Sequence, residues 1–385
     1  MRTVGVVTVS RSDYSIYLPI LKRLQKDPDI RLHLMVTGMH LSPEFGSTVE
    51  QIEKDGFEIG ERVEMLLSSD SPEGIAKSMG LGIIGFSNAY SRTQPDILLL
   101  MGDRFEMHAA AAAALPFNIP VAHIHGGELT EGAIDDSMRH AITKMSHLHF
   151  VSTETYGRRV VQMGEEPWRV IVSGAPSLDT LINFTPLCPT ELNDRLGVNL
   201  SKPTLLVTFH PVTRAYQDTE WHASELLSAL DSSGMNVIFT FPNADTAGRS
   251  IIRLIEEFTS SHQTSKIAMN AGPSGYYSLM KHSAAMVGNS SSGIIEAASF
   301  GLPVVNIGDR QKGRITDLNV IDVGYHSHEV LAGIKKAVSQ GFADSISGLV
   351  NSYGDGHAAE SIVSTLKEIP LDDAMVMKRF HDIDY

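Results

Sequence analysis

Short aliphatic runs recur along this chain, each apolar over its whole length and each followed by an amphipathic stretch. In the first half they are TVGVVTV (3–9), RLHLMVTG (31–38), DILLLMG (96–102), IPVAHIH (119–125), HLHFVS (147–152) and RVIVSG (169–174). A strand with one wet face alternates apolar and polar residues, whereas a strand without alternation is covered on both faces. Helical patterns over about 17–26, 43–54, 72–92, 105–115 and 154–163 supply the cover, so a parallel sheet between helix layers is expected. A second series follows, with TLLVTFH (204–210), NVIFTF (236–241), KIAMN (266–270), AAMVGN (284–289) and PVVNIG (303–308). Prolines and polar residues interrupt the periodicity between the two series, and the connection is placed over about 178–200. The fold class read from this is α/β, two doubly wound Rossmann-like domains facing a cleft. The expected domains are residues 1–178 and 200–370, with a last segment, 371–385, crossing back to the first. A chain of 385 residues suits two such cores better than one.

Charge narrows the partners. The formal net charge is −14, so no long-range basic field exists for nucleic acid or an anionic membrane. An anionic ligand has to be held by local arginines and helix N-termini. Cys188 is the only cysteine, which rules out an intrachain disulfide and points to a reducing, cytoplasmic compartment. The opening run is too short for a signal peptide or membrane span.

In doubly wound sheets, ligands bind beyond the carboxyl ends of the strands. The residues at those ends are therefore the informative ones: Ser10 to Asp13, Asp103-Arg104, and His123 to Glu128. HIHGGELTEGAIDDSMRHAITK (123–144) concentrates two histidines, a Gly-Gly pair, Glu128, and the adjacent carboxylates Asp135 and Asp136. It reads either as a strand, loop and capped helix or as the acid/base wall of a site. Its spacing fits no standard zinc pattern. An aspartate such as Asp103, ending an aliphatic strand beside Arg104, suits acid/base work or a helix N-cap.

In the second half, GNSSSGIIE (288–296) follows a strand and opens a helix, an arrangement that presents free N–H groups to phosphate. Glu296, about two turns into that helix, is placed to accept from ribose hydroxyls. IGDRQKGR (307–314) adds Arg310, Lys312 and Arg314, and arginine's planar fork suits a phosphate. His210 and FPNADTAG (241–248), with Asn243, end neighbouring strands. GLGIIG (80–85) has dinucleotide-type spacing but lies within a helical pattern, so helix packing explains it better.

Taken in order, SRSDYS (10–15), TGMH (37–40), GDRFE (102–106), HIHGGE (123–128), DDSMRHAITKMSH (135–147), HPVT (210–213), FPNADTAG, GNSSSGIIE and NIGDRQKGR (306–314) resemble the hydrolysing UDP-N-acetylglucosamine 2-epimerases. The resemblance runs from about residue 3 to the C-terminus. It implies a glycosyltransferase-B-like fold and conversion of UDP-GlcNAc and water to N-acetylmannosamine and UDP, without NAD or an essential metal. Small and apolar residues in the helical patterns over about 72–92 and 105–115 suit either core packing or the face of a homo-oligomer, dimer or tetramer. Carried over by motif, Ser290, Ser291, Glu296, Arg310 and Asn243 bind the nucleotide. Arg11, Ser15 and Arg104 line the sugar side, His210 contacts the diphosphate, and Asp103, Asp135 and Asp136 supply carboxylates. His125 stands where the animal relative has an acidic residue, and is counted with the catalytic groups.

The nearest rival within the resemblance is a hydrolysing 2-epimerase of an NDP-2,4-diacetamido-2,4,6-trideoxy sugar, as in legionaminic-acid synthesis. A glycosyltransferase or a non-catalytic nucleotide-sugar binder would share the nucleotide half but would not need the carboxylates of 103–136.

Overall fold

The computed structural model describes all residues except 44–47, 68–70, 131–133, 183, 212–216, 241–247, 269–270 and 384–385. The chain divides into two units. Unit 1 comprises 1–128, 134–182 and 353–385, and unit 2 comprises 129–133 and 183–352.

Unit 1 is built on seven parallel strands: β1 (Arg2–Thr8), β2 (Ile30–Thr37), β3 (Ile59–Val63), β4 (Ile97–Met101), β5 (Val121–Ile124), β6 (Leu148–Val151) and β7 (Val170–Val172). Their order across the sheet is β3-β2-β1-β4-β5-β6-β7. Every residue of β4, β5 and β6 is buried, which is why these runs carry no alternation. Each fully buried leucine or isoleucine there contributes about 1.5–3 kcal/mol. The order reverses between β1 and β4, and a crevice at the carboxyl ends of those two strands is the natural ligand site. The loops at that point are Val9–Ser10 and 102–104.

Unit 2 repeats the plan with six parallel strands: β8 (Thr204–Thr208), β9 (Asn236–Phe239), β10 (Ser265–Ile267), β11 (Ala285–Gly288), β12 (Val304–Ile307) and β13 (Val320–Val323). Their order is β10-β9-β8-β11-β12-β13, so the reversal falls between β8 and β11. Thr208 and Gly288 are register partners at the ends of those strands. The loops leaving them begin with Phe209-His210 and Asn289-Ser290.

The chain returns to unit 1 at residue 353, ahead of the segment 371–385 to which the crossing was assigned from sequence. The reason is packing. The Ala358–Glu368 helix puts Ala359, Ile362, Val363 and Leu366 into the core formed by β1, β2 and β4 to β6. Beyond it, Arg169, fully buried, donates to the carbonyls of Ala374 (2.7 Å), Met375 (3.0 Å) and His147 (3.1 Å). Buried Glu165 accepts from Lys144 at 2.6 Å and pairs with Lys378 at 2.7 Å, and Nε2 of buried His149 lies 3.0 Å from it. The last segment is thus fixed to the end of the helix that carries Asp135 and Asp136. GLGIIG lies in the Pro72–Arg92 helix, where a Cβ on Gly82 would come within 2.6 Å of Met65. A Cβ on Gly85 would likewise come within 2.6 Å of Val63, so these two glycines serve packing, while Gly80 faces open space.

Candidate active site

Ser10 caps the Arg11–Lys26 helix, and Asp13 folds back onto it. The Asp13 carboxylate accepts from the N–H groups of Val9 (2.9 Å) and Ser10 (2.7 Å) and from the hydroxyls of Thr8 (2.7 Å) and Ser10. Four such donors commit it to holding the turn. Arg11 is exposed beside it, and Ser15 donates to the Ser12 carbonyl at 2.8 Å. At the end of β4, Arg104 makes a two-pronged contact with the buried carboxylate of Glu106, at 2.8 and 3.1 Å. Burial opposes the Arg104 charge, but Glu106, Asp13 and Asp103 outweigh it and hold its pKa above the usual value.

His123 and His125 part company. His123 is fully buried, with Nε2 2.7 Å from the Gly102 carbonyl and Nδ1 3.1 Å from the Thr143 hydroxyl. Burial pushes its pKa down to about 3, so it is a neutral donor that fixes the turn before Asp103. His125 has a left-handed backbone, φ +66°, and its Nδ1 lies 2.7 Å from Glu128 Oε1 and 3.0 Å from the Ser152 hydroxyl. Glu128, 2% exposed, also meets Arg139 at 3.3 Å, and Arg139 donates its other terminal nitrogen to Asp103.

Arg139 lies one turn along the Ile134–Met145 helix from Asp135 and Asp136. Burial works against its charge, but Asp103 and then Glu128 more than compensate, keeping the guanidinium firmly protonated. Burial pushes the Asp135 carboxyl up from its usual range; Asp103 adds to the effect, and Arg104 and Arg139 oppose it. Asp136 lies 3.6 Å from His140 on its own helix. Unit 1 therefore presents a connected set, His125–Glu128–Arg139–Asp103, beside an Asp135 carboxyl whose pKa burial raises.

In unit 2 the close approach of β8 and β11 depends on Gly288. Its φ is +140°, and a Cβ there would sit 1.9 Å from the Thr208 carbonyl oxygen. Asn289 then locks the two loops together. His210 N–H donates to its Oδ1, and its Nδ2 donates back to the His210 carbonyl. The Asn289 carbonyl accepts from Arg310 (3.0 Å) and from buried Gln311 (2.8 Å). Burial, and then the charge of Arg310, push the His210 imidazole down to about 3, so it acts as a neutral ring. Ser290 caps the five-residue Ser291–Ile295 helix, and Glu296 closes it. The phenol of half-buried Tyr276 is raised by desolvation, against hydrogen bonds with Ser292, Thr208 and Ser290.

Comparison with known proteins follows the same topology. A family model described as UDP-N-acetylglucosamine 2-epimerase matches residues 22–367. The chain belongs to the UDP-N-acetylglucosamine 2-epimerase family. The UDP-N,N'-diacetylbacillosamine 2-epimerase (hydrolyzing) of Legionella pneumophila is 37% identical, over 98% of this chain and 99% of that protein. The GDP/UDP-N,N'-diacetylbacillosamine 2-epimerase (hydrolyzing) of Campylobacter jejuni is 39% identical, over 99% of each. A crystal structure of the UDP-GlcNAc 2-epimerase from Neisseria meningitidis bound to UDP-GlcNAc superposes with a TM-score of 0.80 at 19% identity. It covers 95% of this chain and 99% of that one, which shows a shared fold.

Within this family member, the residues singled out in sequence fall into two sets. Asp103, Arg104, His125, Asp135 and Asp136, with Arg11 and Ser15, belong to unit 1, and His210, Ser290, Ser291, Glu296 and Arg310 to unit 2. Asn243 lies outside the described residues. Two readings change. Asp103 does not cap the helix that starts at Phe105; Arg104 occupies that position, and Asp103 faces Arg139. Glu296 is not two turns along a helix, because the α-helical segment is only five residues long. Sequence reading missed Arg139, Glu128 as the partner of His125, and Asn289. The spacing Asp135–Arg139 was the available signal, since residues four apart share a helix face. Among the described residues, no group of three or more His, Cys, Asp or Glu is placed to hold a metal ion.

Proposed function

We propose that this chain hydrolyses a UDP-linked 2,4-diacetamido-2,4,6-trideoxy sugar, UDP-N,N'-diacetylbacillosamine, releasing UDP and the free sugar inverted at C2. The observation that carries this reading is the full-length identity of 37% and 39% to two relatives bearing that name. It favours the diacetamido sugar over UDP-GlcNAc, the substrate that the motif resemblance put first. The description of the matching family model keeps UDP-GlcNAc as the second reading.

In the chemistry proposed, a base removes the C2 proton while the C1–O bond breaks, UDP leaves with the bonding electrons, and a glycal forms. Water then adds at C1, and a proton returns to C2 from the opposite face. The reaction needs a base, an acid, and a cationic setting for the departing diphosphate. The unit 2 residues His210, Ser290, Ser291, Glu296 and Arg310 serve the nucleotide, and Asn243 joins them by motif. Arg11, Ser15 and Arg104 serve the sugar side. Asp135, held toward its protonated form by burial, suits the acid. Asp103, Asp136 and His125 are the remaining proton-transfer groups.

The test is incubation of the protein with UDP-N,N'-diacetylbacillosamine and with UDP-GlcNAc, separately, in deuterated water. The proposal expects UDP release chiefly from the first, with deuterium at C2 of the freed sugar. Efficient release from UDP-GlcNAc alone would hand the function to the second reading. Transfer to an acceptor, or no turnover of either, would remove the chain from this chemistry.

A further inference from the structure

His125 is one of two non-glycine residues with positive φ among the described residues. Such a backbone is strained and persists only where its surroundings impose it. Here the His125 N–H donates to the Phe150 carbonyl of β6 at 3.0 Å. Gly126 and Gly127 follow, and a Cβ on Gly127 would stand 2.5 Å from the Tyr156 carbonyl oxygen. This tight turn brings Glu128, three residues on, back onto the imidazole.

The two ring nitrogens are then unequal. Nδ1 lies 2.7 Å from Glu128 Oε1 and 3.0 Å from Ser152 Oγ, while the Ser152 hydroxyl donates to the same Oε1 at 3.1 Å. A carboxylate has no proton to give, and a hydroxyl already donating offers only a lone pair. Both partners therefore require the proton on Nδ1. Nε2 makes no hydrogen bond to any described residue, and the side chain keeps 12% of its surface open. Glu128 is held in turn, because its other oxygen meets Arg139, whose far nitrogen reaches Asp103.

We infer that Glu128 is the positioning residue of His125. It fixes the imidazole as the Nδ1–H tautomer, so that Nε2 is the nitrogen that exchanges a proton with the sugar or the attacking water. This rests on the reading under Proposed function and adds to it the working nitrogen and the group that selects it. No new bond-making step is involved. When Nε2 takes a proton, the carboxylate at Nδ1 balances the imidazolium, and returning the proton restores the starting state. Arg139 ties this pair to Asp103, so one guanidinium orients two proton-transfer groups.

The experiment uses the full chain labelled with ¹⁵N in histidine, and reads the ring-nitrogen shifts at neutral pH. The His125 signals are assigned by their loss in His125→Gln. The wild type should show a protonated Nδ1 and a bare Nε2. Glu128→Gln keeps the shape and can donate its amide to Nδ1, so the proton should move to Nε2. The same variant should lose on the order of 100-fold in kcat, with KM changed by no more than about 3-fold. Glu128→Asp, which keeps the charge beside Arg139, guards against a folding artefact and should give an intermediate kcat. An unchanged His125 tautomer in Glu128→Gln overturns the inference, as does a moved tautomer with full kcat. If the wild type releases UDP from neither sugar, the functional reading fails, while the nitrogen shifts still decide whether Glu128 sets the tautomer.

Discussion

His210 and Asn289 exchange a reciprocal pair of hydrogen bonds, His210 N–H to Asn289 Oδ1 at 2.7 Å and Asn289 Nδ2 to the His210 carbonyl at 2.8 Å. Both residues are buried, and each leads out of one of the two strands where unit 2 reverses its order. The amide thus does for two neighbouring loops what a strand ladder would do, at the point where the ladder has ended. Asn289→Ala leaves the His210 N–H and carbonyl buried without these partners, at about 1–3 kcal/mol per group. UDP affinity, measured by calorimetry, should fall with it, because the side-chain amide is what ties the His210 loop to the Ser290 loop, while the backbone carbonyl that accepts from Arg310 and Gln311 survives the substitution. Unchanged UDP binding in a folded Asn289→Ala protein would contradict this.

Arg139 is a buried cation with two carboxylate partners. Arg139→Met should cost about 3–5 kcal/mol in urea unfolding, since it strands the charges of Asp103 and Glu128. UDP release should be lost beyond what the fraction unfolded explains. Arg139→Lys should recover little activity, because one ammonium cannot reproduce two separated guanidinium contacts.

Asp103→Asn should leave UDP binding close to that of the wild type and abolish UDP release, with a loss of about 10²–10⁴ in turnover. The substitution preserves size and the capacity to accept from Arg139. Normal turnover would take Asp103 out of the chemistry.

Acid should destabilise this protein through its buried neutral histidines. His123 and His210 titrate near 3 in the fold, against a usual value near 6.5. Between those values the unfolded chain binds more protons than the folded one, so stability falls as pH drops through that window and is flat above it. At pH 5 each residue accounts for on the order of 2 kcal/mol. Urea unfolding at pH 5 and pH 7.5 measures the difference, and His210→Gln should shrink it. An equal difference in that variant would show that His210 gains its protons without unfolding.

What can be read from sequence follows what burial does to a strand. Runs covered on both faces, such as Ile97–Met101, announce themselves. Two of the four edge strands, β3, IGERV, and β13, VIDV, do not, because each exposes part of its length and mixes charge with aliphatics. The site divides likewise. Residues directly after strands, such as Asp103, His125, His210 and Ser290, are legible from position alone. Glu128, Arg139 and Asn289 act by reaching across turns and between elements, and that reach depends on backbone directions such as the left-handed turn at His125. No local pattern encodes such directions, although the Asp135–Arg139 spacing held part of the answer. The C-terminal return at 353 escaped for a similar reason: an amphipathic helix has an apolar face in any unit, and its own sequence does not say which core receives it.

That return has a consequence for synthesis. Ala359, Ile362, Val363 and Leu366 complete the core around β1 and β4, yet they leave the ribosome after every strand of unit 2. The unit whose residues emerge first is therefore the one finished last. Until the Ala358–Glu368 helix arrives, the nascent chain carries a sheet with an uncovered apolar strip, while unit 2 already has all its strands. Premature termination anywhere from 353 to 366 should leave that strip open to aggregation, although every strand of both sheets has by then been made.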